Sequence, residues 1–182
     1  MPAPARLVAA LFRMDEGTWA RHANPWSVWT RMASLPVLLA AIWSHTSLGW
    51  WALLPGVIVV AWLWLNPRLF PPPASTRSWA SRAVLGERLW LDRARPIDRE
   101  HRTAATFTSI VASLGFAAAI YGAVVNDWGW TVAGAAVCYL GKLWFIDRMV
   151  WVFEDERRRD PAVAEVLAGM ADGPAIGAPR RQ

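Results

Sequence analysis

The chain has 182 residues, 55% of them hydrophobic and 18% charged, against about 25% charged in an ordinary soluble domain. It is nevertheless basic, with 19 Lys+Arg against 14 Asp+Glu and a net charge of +5. This excludes a disordered chain, which needs low hydrophobicity, and the lone Cys138 excludes a disulfide framework.

In chain order, residues 4–14 read as an amphipathic helix lying on a membrane surface. Asn24-Pro25 then has the chemistry of a helix start: Asn is a strong N-cap and Pro suits the first helical turn. From Met32 to Leu65 there is no Asp, Glu, Lys or Arg. That is too long for one crossing, which takes about 20 residues, and about right for a helical hairpin. The turn is placed at Ser44-His45-Thr46-Ser47, so the predicted spans are 26–44 and 48–66. The uncharged part of the first is short, which leaves open a re-entrant hairpin. Pro71 to Pro73 break any helix, and 78–93 reads as a second amphipathic helix, dipping Trp79, Leu85 and Leu89 into headgroups. Between Thr103 and Gly141 the one charge is Asp127. Asn126-Asp127 is turn chemistry, which predicts spans 103–125 and 129–151. Beyond Asp155 the tail is charged and then rich in Ala, Gly and Pro, with disorder expected over 172–182.

The expected fold is therefore all-α: one membrane domain over 1–171, with four transmembrane helices in two hairpins. Trp43, Trp50, Trp51, Trp128 and Trp130 flank the two polar turns, as interfacial Trp do. Neither turn contains Lys or Arg, so the positive-inside rule places the three basic segments and both termini in the cytoplasm of a cell (inner) membrane. Small residues line the second hairpin, in the stripes Ala105-Ser109-Ser113-Ala117 and Gly115-Ala119-Ala123. They predict close packing of its two arms.

The polar residues that could carry chemistry are His22, Asn24, Arg31, Asn66, Arg68, His101, Asp147 and Glu154. In 21–31, Arg21 and Arg31 suit lipid phosphate, and His22 with Arg31 could line a site at the inner surface. Across the second hairpin His101 falls level with Phe153, which makes Glu154 and Asp147 its candidate partners; a His–carboxylate pair there could move protons or close the bundle as an ion pair. No P-loop, Rossmann glycine pattern or zinc-protease helix is present. Three His are too few for a histidine-rich di-iron site, and no cofactor or metal motif is found. Because the basic residues lie beside the spans, the partner they suit is the bilayer's anionic phospholipid headgroups, not nucleic acid.

The stretch Arg21-His22-Ala23-Asn24-Pro25-Trp26-Ser27-Val28-Trp29-Thr30-Arg31, followed by Asn66-Pro67-Arg68-Leu69-Phe70-Pro71-Pro72 and Val84-Leu85-Gly86-Glu87-Arg88, resembles an uncharacterised family of small prokaryotic multi-pass membrane proteins. The resemblance implies a membrane protein and no activity. Three functions fit the sequence. The first is a non-enzymatic accessory or scaffold subunit that contacts lipid and a partner chain or a second copy. The second is an interfacial enzyme acting on a lipid or amphiphile through His22, Arg31, His101 and Glu154. The third is a small dimeric transporter using Asp147, Lys142 and His101.

Overall fold

The computed structural model describes residues 15–92 and 96–172, and these are mostly helical, with no strand among them. The helix expected at 4–14 and the tail from 173 onward lie outside the described residues. In chain order the helices are α1 (Glu16–His22), α2 (Pro25–Met32), α3 (Ser34–Trp43), the single turn α4 (His45–Leu48), a 3-10 turn (Gly49–Ala52), α5 (Leu53–Leu69), α6 (Trp79–Leu91), α7 (Arg99–Val124), α8 (Trp128–Arg159) and α9 (Pro161–Asp172).

Three helical stretches, His45–Leu69, Arg99–Val124 and Trp128–Arg159, are long and apolar enough to cross a membrane. The predicted first span does not form one unbroken helix. It divides at Ala33 into α2 and α3. Pro36 is the physical reason: it has no N–H to offer the Met32 carbonyl four residues back. Tyr139 of α8 supplies the donor instead, its hydroxyl bonding Met32 O at 2.7 Å. The start of α2 is as expected, with the Asn24 side chain accepting from Trp26 N at 2.9 Å. Helix α5 runs past the predicted end of its span, through Pro67 to Leu69, and stops at the extended Phe70 before the three prolines.

The α7–α8 hairpin is closely packed, and glycine makes it so. A Cβ on Gly115 would stand 2.3 Å from the Cys138 N, and one on Gly134 would stand 2.3 Å from the Ala119 N. Gly122 meets the Thr131 backbone and Gly141 the Ala112 backbone in the same way. Of the two small-residue stripes, that of Gly115, Ala119 and Ala123 is buried, together with Ala105, while Ser109, Ser113 and Ala117 face outward. The outward hydroxyls are satisfied on their own helix, Ser109 bonding Ala105 O and Ser113 bonding Ser109 O.

Two readings of the surface helices are corrected. Helix α6 does not lay Leu85 and Leu89 into lipid. Both are buried in the main core with Ala80, Val84, Ile146, Met149, Val152 and Phe153. Gly86 lets α6 approach so closely that a Cβ there would lie 1.8 Å from the Met149 carbonyl oxygen. A helix with this much small and apolar surface reads as amphipathic whether lipid or protein covers it, and here α8 covers it. The second correction concerns residues 161–171, which carried no helix in the sequence reading. They form most of α9, whose Leu167 is buried in the same core.

The molecule thus has two ends. At the turn end, Trp43 of α3 meets Trp128 edge-on at 6.0 Å, and Asn126 Nδ2 donates to Trp43 O at 3.0 Å. Asn126 takes a φ of 54° there, a conformation Asn tolerates better than most residues. At the basic end lie α1, α6, α9 and the C-terminal half of α8, around the larger core.

Candidate functional site

The eight predicted polar residues are all at or near the basic end, but they do not converge on one pocket. They form separate contacts between helices.

The most deeply buried contact is an amide clip between α2 and α5. Asn66 is fully buried. Its Oδ1 accepts from Ser27 Oγ at 2.7 Å, and its Nδ2 donates to Thr30 Oγ1 at 2.8 Å. Asn24 extends the clip, its Nδ2 donating to the Pro71 carbonyl at 2.9 Å, and Ser81 Oγ bonds Ala23 O at 2.7 Å. Three otherwise separate segments are held to the start of α2 in this way. Arg68 stays out of the clip. Its guanidinium folds back along α5, bonding Trp64 O and lying 4.1 Å from the Trp64 ring centroid.

His22 and Arg31 do meet. Arg31 Nη1 lies 2.7 Å from both ring nitrogens of His22, and Arg31 Nε donates to Ser27 O at 3.0 Å. Trp19 packs edge-on to the imidazole at 5.6 Å. Burial, reinforced by the Arg31 and Lys142 charges, holds His22 well below the usual imidazole range. The ring is therefore neutral at pH 7, and its unprotonated nitrogen accepts from the guanidinium. Asp15 at the start of α1 is held below the ordinary carboxylate range by the hydrogen bonds from Thr18. Lys142 is exposed on α8, its Nζ 4.9 Å from the Phe145 ring centroid.

Three carboxylates of α8 face different neighbours. Asp147 Oδ1 accepts from Trp79 Nε1 at 3.0 Å, and Trp79 stacks on Trp29 at 5.8 Å. Glu154 bridges two arginines, Arg82 Nη1 at 2.8 Å and Arg157 Nη2 at 3.0 Å. Neither is the partner of His101. That partner is Asp155, at 2.7 Å from His101 Nε2. Asp155 lies at the expected level on α8 but one residue round from Glu154, and one residue is 100° of helix, which register along the axis does not resolve. Asp155 could have been found only by knowing that α6 takes the face of Asp147 and Glu154.

Asp98, His101 and Asp155 bring their ligand atoms within 4.8 Å of one another, close enough for a cation. The chemistry of the set argues otherwise. Arg159 pairs with Asp98, and Arg158 with Asp155 at 3.4 Å, so both carboxylates already have cations. A metal-bound imidazole normally donates its second N–H to an acceptor, and His101 Nδ1 is buried with none. The arrangement fits a ring bonded through Nε2 to Asp155, a latch between α7 and α8.

Over residues 4–170 the chain matches a family described as one of unknown function, DUF6653. It belongs to that family. No curated protein and no solved structure matches it. DUF6653 therefore brings no catalytic residue to set against these contacts.

Proposed function

We propose that this DUF6653 protein is a multi-pass inner-membrane protein with four crossings, acting as a non-enzymatic accessory or scaffold subunit. Its basic face would lie at the cytoplasmic headgroups, and its first hairpin would meet a partner chain. The observation that carries this reading is where the polar side chains go. Asn24, Asn66, His22, Arg31, His101, Asp147 and Glu154 each have a partner on a neighbouring helix or loop. An enzyme or a proton path needs several such groups free to face one volume; here they are consumed in holding helices together.

The outer surface supports the same reading. Trp50, Trp51, Leu53, Leu54, Val57, Ile58, Val60 and Trp64 are exposed along α5 and the turns that precede it. An apolar face this long is covered by lipid or by another protein. The α7–α8 hairpin satisfies itself through its glycine seam, whereas the first hairpin has bulky residues and no such seam.

The test is purification of the full chain in several mild detergents, with mass measured by light scattering. An assembly larger than a single 20.3 kDa chain is expected, reproducibly and with a fixed stoichiometry. A lone monomer in every detergent would remove the scaffold role.

A further inference from the structure

The basic end carries a cleft that none of the pairs above fills. It measures about 580 Å³, within the range of small-ligand sites. Thr76 and Arg77 reach it from the segment before α6, Arg82 from α6, Phe153 and Arg157 from α8, and Pro161 and Glu165 from α9. Three arginines thus line one volume, against one glutamate.

Glu154 sets two of those guanidinium groups side by side. Each of its oxygens takes one arginine, Arg82 on Oε1 and Arg157 on Oε2. Arginine has five N–H donors in a rigid fork, so one contact apiece leaves donors on both heads. Arg82 Nε is buried without a partner, so the donors that side chain can offer the cleft are on its Nη atoms. The Arg77 side chain is exposed and in no ion pair among the described residues. Forked donors converging from three arginines match the oxygens of a phosphate better than a single carboxylate. Phe153 adds an apolar wall, and Thr76 a hydroxyl.

The height of the cleft matters too. Phe153 lies 25 residues beyond Trp128 on one continuous helix, about 38 Å along the axis. With Trp128 at one interface, this exceeds the roughly 30 Å of bilayer hydrocarbon and reaches headgroup level on the far side.

The geometry points to a binding site for one phosphate-bearing anion, either a phospholipid headgroup or a soluble phosphate ester. The lipid source rests on the four-crossing reading; the phosphate chemistry does not. The probes are phosphatidylglycerol, with phosphatidylcholine as the zwitterionic control, added to the delipidated full chain and followed by native mass spectrometry, and glycerol 3-phosphate followed by calorimetry in the same detergent. The variants are Arg77→Ala alone and Arg77→Ala with Arg157→Ala. The control is Arg99→Ala with Arg102→Ala, which removes two exposed charges outside the cleft.

One equivalent of phosphatidylglycerol or of glycerol 3-phosphate binds, and the double cleft variant weakens it about tenfold or more, the loss expected for two charge-assisted contacts. Arg77→Ala alone weakens it several-fold, which keeps the test alive if the double variant misfolds. Binding of the soluble ester identifies a soluble source, and binding of the lipid alone identifies the headgroup. Unchanged binding in the cleft variants, an equal loss in the control pair, or no stoichiometric binding of either probe overturns the site. If topology mapping places this end outside the cytoplasm, the orientation fails while the ester measurement still decides the site.

Discussion

At the residue scale, Asn66 and His22 are the side chains on which most depends. Asn66 is fully buried and uses both ends of its amide. Asn66→Leu strands the hydroxyl of Ser27 in the protein interior, and a buried polar group left unpaired costs about 1–3 kcal/mol. Ser27→Ala removes only one arm, so its loss of stability in detergent melts is the smaller of the two. His22 makes stability depend on pH. Its folded pKa is depressed, so the unfolded chain binds the extra proton as pH falls below the ordinary imidazole value near 6.5. Stability is thus full at neutral pH and is lost progressively below about pH 6.5 as the medium acidifies toward the lowered folded value. His22→Gln flattens that part of the stability curve, and melts at pH 7.5 and 5.5 measure it. Both residues were legible in the sequence as polar groups beside apolar helices. The pairing of His22 with Arg31 was legible too, both lying in one short polar stretch; the partners of Asn66 were not, because Ser27 and Thr30 become its neighbours only once α2 packs against α5.

At the scale of elements, glycines separate positions that need the missing side chain from those that do not. Gly86 and Gly134 abut backbone atoms of a neighbouring helix at 1.8 Å and 2.3 Å from where a Cβ would sit. Backbone cannot swing aside as a side chain can, so Gly86→Ala or Gly134→Ala must push helices apart. Overpacking of this kind costs about 1–3 kcal/mol or more. Gly56 of α5 has nothing within 4 Å of its Cβ position. There the alanine fills open space, and helix propensity favours Gly56→Ala by up to about 1 kcal/mol. Unfolding in a denaturing detergent should rank the variants in that order, with Gly56→Ala at or above the parent. Small-residue spacing in 103–141 made the α7–α8 seam predictable. It could not say which of two stripes faced inward, since both have a four-residue period. The docking of α6 was misread for a related reason: its apolar face is the same whether it meets lipid or the face of α8 around Met149.

At the scale of the whole molecule, the number of crossings turns on α2 and α3. Together Pro25–Trp43 covers 19 residues, about 28 Å of helix, close to the roughly 30 Å of hydrocarbon. Its two ends meet different ends of the second hairpin. Trp43 is bonded to Asn126 in the α7–α8 turn, while Ala23, just before Pro25, accepts from Ser81 of α6, which packs on the far half of α8. In the proposed four-crossing arrangement a segment joining those two levels crosses beside α7 and α8, and Tyr139 repairs the carbonyl that Pro36 leaves without its donor. The segment is not among the three helices long enough to cross because it divides at Ala33 into helices of 8 and 10 residues. In a Cys138→Ser background, a membrane-impermeant maleimide added to intact cells should label Ser47→Cys and spare both Gly17→Cys and Ala74→Cys until the membrane is opened. Labelling of Gly17→Cys in intact cells would mean three crossings, with α1 outside. Protection of Ser47→Cys would mean that the first hairpin enters the bilayer and returns without reaching the other side. Four crossings require all three positions to behave as stated, because only then do the basic segments 66–102 and 15–31 share one face.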